Sequence, residues 1–82
     1  MVCKKEELKL TILDSNNINL VQKLQKKCED RVWKKESLIH LLKEGSGLGF
    51  VLSEGSTGIG YILARSLQSE LEILSFGVLS SY

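Results

Sequence analysis

Residues 58–82, GIGYILARSLQSELEILSFGVLSSY, contain two apolar runs, 59–67 and 71–78, rich in Ile, Leu, Tyr, Phe and Val and separated by Gln68-Ser69-Glu70. Runs of this length and composition around a short polar turn predict a β-hairpin. The second run carries no charge after Glu72. Uncharged strands left at a sheet edge pair with other chains, so this run is expected to be an inner strand. Gly77 stands near its end, where a β-branched or aromatic residue would pack better. That position predicts a bulge, or a place where another molecule approaches the backbone.

Upstream, residues 8–13 alternate, with Leu8, Leu10 and Ile12 on one side, the pattern of a strand with one buried face. Asp14-Ser15-Asn16-Asn17 supplies candidate N-caps for a helix whose apolar stripe is Ile18, Val21, Leu24 and Cys28, with Leu20 alongside. Lys23, Lys26 and Lys27 fall mostly off that stripe. After a short connection at Arg31-Val32-Trp33, Leu38, Leu41 and Leu42 form a second stripe that ends at Gly45, a plausible C′ residue. Lys34 and Lys35 put positive charge where this second helix begins, so its start is weakly specified. Trp33 is expected to pack over the helix pair. Residues 48–53 then read as a strand, joined to 59–67 through the glycine-rich hairpin loop 54–58. The order is β-α-α-β-β-β, an α+β fold with three successive antiparallel strands at its end.

A chain of 82 residues makes one domain, and at this size roughly 60–65% of the unfolded surface is buried, so stability is marginal. Apolar residues at 43% and charged residues at 26% exclude a disordered chain. Net charge is +1. The concentration of basic residues between 23 and 35 reads as a solvated helix face rather than a nucleic-acid surface. Cys3 and Cys28 have neither metal-ligand spacing nor histidine companions, so no metal site is indicated. The N-terminus has no apolar leader and no run is long enough to span a bilayer; the expected address is the cytoplasm, with no membrane partner.

Four features resemble catalytic or cofactor motifs. Residues 53–65, SEGSTGIGYILAR, are similar to the phosphate loop of a short-chain dehydrogenase, with a helix running from Ile59. Against that reading, the first glycine of the pattern falls on Glu54, and no acid follows near 78–80 to bind a ribose. Gly45-Ser46-Gly47-Leu48-Gly49 runs from helix into strand, the wrong order for a phosphate cradle. His40 stands alone, without a nucleophile or carboxylate in a catalytic pattern. Glu70 and Glu72, two apart, share a strand face.

The series GFVL (49–52), GYILAR (60–65), E-x-EIL (70–74) and F-G-V-x-x-x-Y (76–82) resembles the first half of the GNAT acetyltransferases. The branch it looks most like acetylates the N-terminal alanine of a ribosomal protein. The resemblance implies a GNAT half-domain in which 71–78 is the fourth strand, whose end splays from the next strand to admit acetyl-CoA. It also implies that the family's R/Q-x-x-G-x-G/A run, which cradles the pyrophosphate, begins after Tyr82. By residue-for-residue match, the backbone groups of Phe76, Gly77 and Val78 pair with the acetyl and pantetheine parts of acetyl-CoA. Glu72 lies on the acceptor side, and the catalytic base and tyrosine acid belong to the later half. The expected parent protein is an acetyl-CoA-dependent N-acetyltransferase acting on a protein N-terminus, such as that of a ribosomal protein, or on another primary amine. This chain alone is expected to be inactive, to bind acetyl-CoA weakly and to leave Phe76 and Val78 short of packing partners. The alternatives are an interaction module that pairs its open strand edge with another copy or another protein, and a dehydrogenase fragment.

Overall fold

The computed structural model describes residues 8–28 and 31–80; Cys3 and Tyr82 lie outside them. The elements are β1 (Leu8–Ile12), α1 (Ile18–Lys27), α2 (Lys35–Lys43), β2 (Gly47–Glu54), β3 (Thr57–Leu67) and β4 (Glu70–Val78), in the predicted order. The strands form one antiparallel sheet in the order β1-β2-β3-β4.

Two-residue turns close both hairpins. Glu54 pairs with Thr57 around Gly55-Ser56, and Leu67 pairs with Glu70 around Gln68-Ser69. The first turn residue takes a left-handed backbone in each, Gly55 at φ 61° and Gln68 at φ 44°. This sense of turn follows the right-handed twist of the flanking strands. The glycine-rich stretch is therefore a tight turn, with Thr57 and Gly58 already in β3. Because residues 59–67 are strand and not helix, the dinucleotide-loop alternative is excluded.

Both helices pack on one face of the sheet. Their stripes, Ile18, Val21 and Leu24 with Leu38 and Leu41, meet Val51, Tyr61 and Leu63 from the central strands, and Leu13 closes the end of this core. Trp33 packs against the same cluster, as expected. Gly77 lies on this face beneath the end of α1: a Cβ there would stand 2.9 Å from the Cys28 Sγ and 3.0 Å from the Tyr61 Cε1. The close approach expected at Gly77 is thus made from within the chain.

Several expectations are corrected. Leu8, Leu10 and Ile12 do share a face, but all three are exposed. Alternation separates two faces without saying which one the helices cover, and they cover the side bearing Val51, the partner of Thr11. The strand read as an inner one, β4, is an edge strand among the described residues. Its bulge is not at Gly77, which pairs regularly with Tyr61. The register steps between Leu63 and Ala64, whose partners are Ser75 and Ile73, leaving Leu74 as the extra residue. None of the candidate N-cap side chains caps α1. The Asn17 Oδ1 instead accepts from the Asp14 amide at 2.8 Å and its Nδ2 donates to the Ile12 carbonyl at 3.1 Å, which fixes the turn out of β1. The end of α2 is reached by an extended Glu44, not by a left-handed Gly45.

Candidate functional site

The bulge at Leu74 organises the site. Without an extra residue, strand alternation would put Ile73, Ser75 and Gly77 on one face. With it, Ser75 pairs with Leu63 on the helix side while Ile73 pairs with Ala64 and Phe76 with Ile62 on the other. Ser75 thereby points under α1. Its hydroxyl lies 3.1 Å from the Tyr61 hydroxyl and accepts from the Gln25 Nε2 at 3.4 Å. Gln25 is fully buried, and its Oε1 accepts the Trp33 backbone N–H at 2.9 Å. One turn away, the Gln22 Nε2 donates to the Trp33 carbonyl at 3.0 Å. Two glutamines of α1 thus hold the backbone entering α2 against the bulged stretch of β4. Burial without such partners would cost about 1–3 kcal/mol per polar group.

Two clefts open where these elements meet, and both touch Leu74 and Ser75. One, about 810 Å³, runs along β4 from Ile73 to Ser80 with Lys27 and Cys28 on its helix wall. The other, about 650 Å³, lies beneath the α1–α2 connection between Arg31, Trp33, Lys34 and Ser37. Among the described residues, neither cleft is lined by a carboxylate or an imidazole.

The free edge of β4 is polar through its backbone. The Leu79 amide donates to the Ile59 carbonyl at 2.9 Å. In an antiparallel ladder the residues that bond the partner strand alternate, so Gly77 also faces β3 while the N–H and C=O groups of Phe76 and Val78 point away from it. Of the three positions matched to acetyl-CoA contacts, two offer backbone groups to the open edge. The third, Gly77, makes room for Cys28. Glu72 is not at these clefts. Its carboxylate lies 3.6 Å from the Arg65 guanidinium, which also meets Glu44 at 3.4 Å at the end of α2. His40 is exposed, 3.5 Å from Glu44. Sequence reading passed over Ser75, Leu74 and Gln25. Only Gln25 left a signal, a polar residue one turn after Val21 inside the apolar stripe.

No family model matches the sequence, and no curated protein matches it either. The fold is similar to that in the crystal structure of the ribosomal-protein-S18-alanine N-acetyltransferase from Escherichia coli, with a TM-score of 0.77 over 93% of this chain at 10% sequence identity. The chain shares that fold. It spans 48% of that enzyme's chain, about half its length. The α+β reading and the strand order expected from the sequence therefore hold, and the resemblance stated on short motifs is matched by the backbone. Among the described residues no helix is long and apolar enough to cross a membrane.

Proposed function

We propose that this chain supplies the first half of an acetyl-CoA-dependent N-acetyltransferase site acting on a protein N-terminus, that of a ribosomal protein among them, or on another primary amine. The observation that carries the reading is the unpaired edge of β4 at Phe76 and Val78, directly after the Leu74 bulge at which the two clefts meet. A thioester arm needs an extended backbone to pair with and donors near its carbonyl, where charge develops as the amine attacks. The outward N–H groups of Phe76 and Val78 have the direction to provide both, and Gly77 with Cys28 shapes the wall beside them.

Transfer also requires a base for the ammonium proton and an acid for the leaving thiolate. Among the described residues no carboxylate or imidazole lines either cleft, and the resemblance puts the base and the acid in the later half, so the chain alone is expected to hold acetyl-CoA weakly and to turn nothing over. Isothermal titration with acetyl-CoA, with NADP⁺ in parallel, tests the proposal. Weak binding of acetyl-CoA and none of NADP⁺ is the expected outcome. Binding of NADP⁺ in preference to acetyl-CoA would overturn the acetyltransferase reading. Micromolar acetyl-CoA binding with acetyl transfer to an alanine-starting peptide would overturn the claim that the chain is incompetent by itself.

A further inference from the structure

The bulge at Leu74 also decides which backbone groups of β4 face away from β3. From the Leu67–Glu70 pair to the Ala64–Ile73 pair the hairpin is in regular register. Continued without an extra residue, that register would set Leu63 opposite Leu74, Tyr61 opposite Phe76 and Ile59 opposite Val78. The Ile59 carbonyl faces β4, since it accepts from the Leu79 amide at 2.9 Å. Hydrogen-bonded positions alternate along an antiparallel pair, so the continued register would turn the amides of Phe76 and Val78 to β3. Ser75 and Gly77 would then face outward in their place.

Apolar burial alone favours that regular alternative. It would bring Leu74 and Phe76 to the helix side beside Leu63 and Tyr61, where the bulged strand puts Ser75 and Gly77. Two features oppose it. The first is space: a Cβ at Gly77 would already meet the Cys28 Sγ at 2.9 Å, so a phenyl ring there would have to displace α1. The second is polar. Gln25 is fully buried under α1 and Ser75 is 9% exposed. The Ser75 hydroxyl accepts from the Gln25 Nε2 at 3.4 Å and lies 3.1 Å from the Tyr61 hydroxyl. Leu74 in that place would offer neither group a hydrogen bond, and a buried polar group left unmet costs more than an average hydrogen bond contributes.

We infer that Gln25, Ser75 and Tyr61 are positioning residues: their buried hydrogen bonds hold β4 in the bulged register and so turn the amides of Phe76 and Val78 outward. All three side chains lie between α1 and the sheet, so the device is internal to these elements. Its role in thioester binding rests on the acetyltransferase reading; its hold on the register does not.

Nuclear Overhauser contacts in the free chain and titration with acetyl-CoA test the two parts separately. In the bulged register Ile62 and Phe76 form a non-hydrogen-bonded pair whose Hα atoms lie close, while in the regular register Ile62 would meet residue 75. Ser75→Ala and Tyr61→Phe each remove one hydroxyl and little else. In both, part of the Ile62 contact is expected to move to residue 75. The affinity read from the Phe76 and Val78 amide shifts is expected to fall about 10-fold, the scale of one buried hydrogen bond withdrawn from the binding-competent register. Val51→Ala, a core truncation on β2, which does not pair with β4, is expected to lower stability but to keep the Ile62–Phe76 contact and the wild-type affinity. If Ser75→Ala does not fold, Tyr61→Phe is held to the same result. Hydroxyl variants that keep the Ile62–Phe76 contact alone, or keep the wild-type affinity, overturn the proposal. So does an equal loss of affinity in Val51→Ala. A wild-type chain in which acetyl-CoA shifts no β4 amide overturns the acetyltransferase reading and the binding role with it, whichever register the free chain shows.

Discussion

Gly55 and Gln68 occupy the same position in two equivalent turns, and only one of them is suited to it. A left-handed backbone costs an ordinary residue about 1–2 kcal/mol, a penalty glycine escapes. Replacing Gln68 by Gly is expected to stabilise the fold by about 0.5–1 kcal/mol and Gly55→Ala to destabilise it by about 1 kcal/mol. Urea unfolding would show each as a shifted midpoint at constant slope. Gly77 is a matter of space. Gly77→Ala is expected to cost about 1–3 kcal/mol by overpacking against Cys28 and Tyr61. The added change Cys28→Ala, which removes the nearer Sγ, should restore part of that loss in the same assay. A glycine in a strand signals a special position in the sequence alone; the bulge expected at Gly77 lies at Leu74 instead, and what crowds Gly77 is Cys28 and Tyr61. Whether the crowding comes from a ligand or from the chain's own helix is decided by packing, which the local pattern does not contain.

At the level of elements, the link between α1 and β4 is the least expected feature. Gln25→Leu keeps the bulk but leaves the Trp33 N–H without its acceptor and Ser75 without that donor. Such a loss is expected to destabilise the fold by about 1–3 kcal/mol, read from denaturant unfolding. All six elements were legible locally, β1 and the helices from alternation and three-four spacing and the last three strands from apolar runs bounded by turn residues. The β1 face and the β4 bulge were not. Leu8, Leu10 and Ile12 alternate identically whether water or a helix lies above them. A bulge depends on how the strand answers its neighbour, and Leu74 differs in no obvious way from Ile73. The first turns of both helices carry no side-chain cap, so their starts are held instead by Asn17 with Ile12 and by the two glutamines that grip Trp33.

For the whole molecule, the same strand, uncharged beyond Glu72, sets both the candidate chemistry and the surface exposure. The backbone of Phe76 and Val78 faces the open edge, while their side chains stand 68% and 53% exposed on the uncovered face. Full burial of such a side chain is worth about 1.5–3 kcal/mol. A partner layer would therefore add stability to a fold whose core, among the described residues, centres on nearly inaccessible side chains such as Leu63 and Gln25. The account rests on β4 as a strand whose outward amides receive an extended thioester. The most direct test is to follow the backbone amide resonances of the full chain during titration with acetyl-CoA. Saturable shifts centred on Phe76 and Val78, extending to Ser75 and Cys28, are the predicted result. Shifts confined to residues 54–60, or none anywhere along β4, would contradict it.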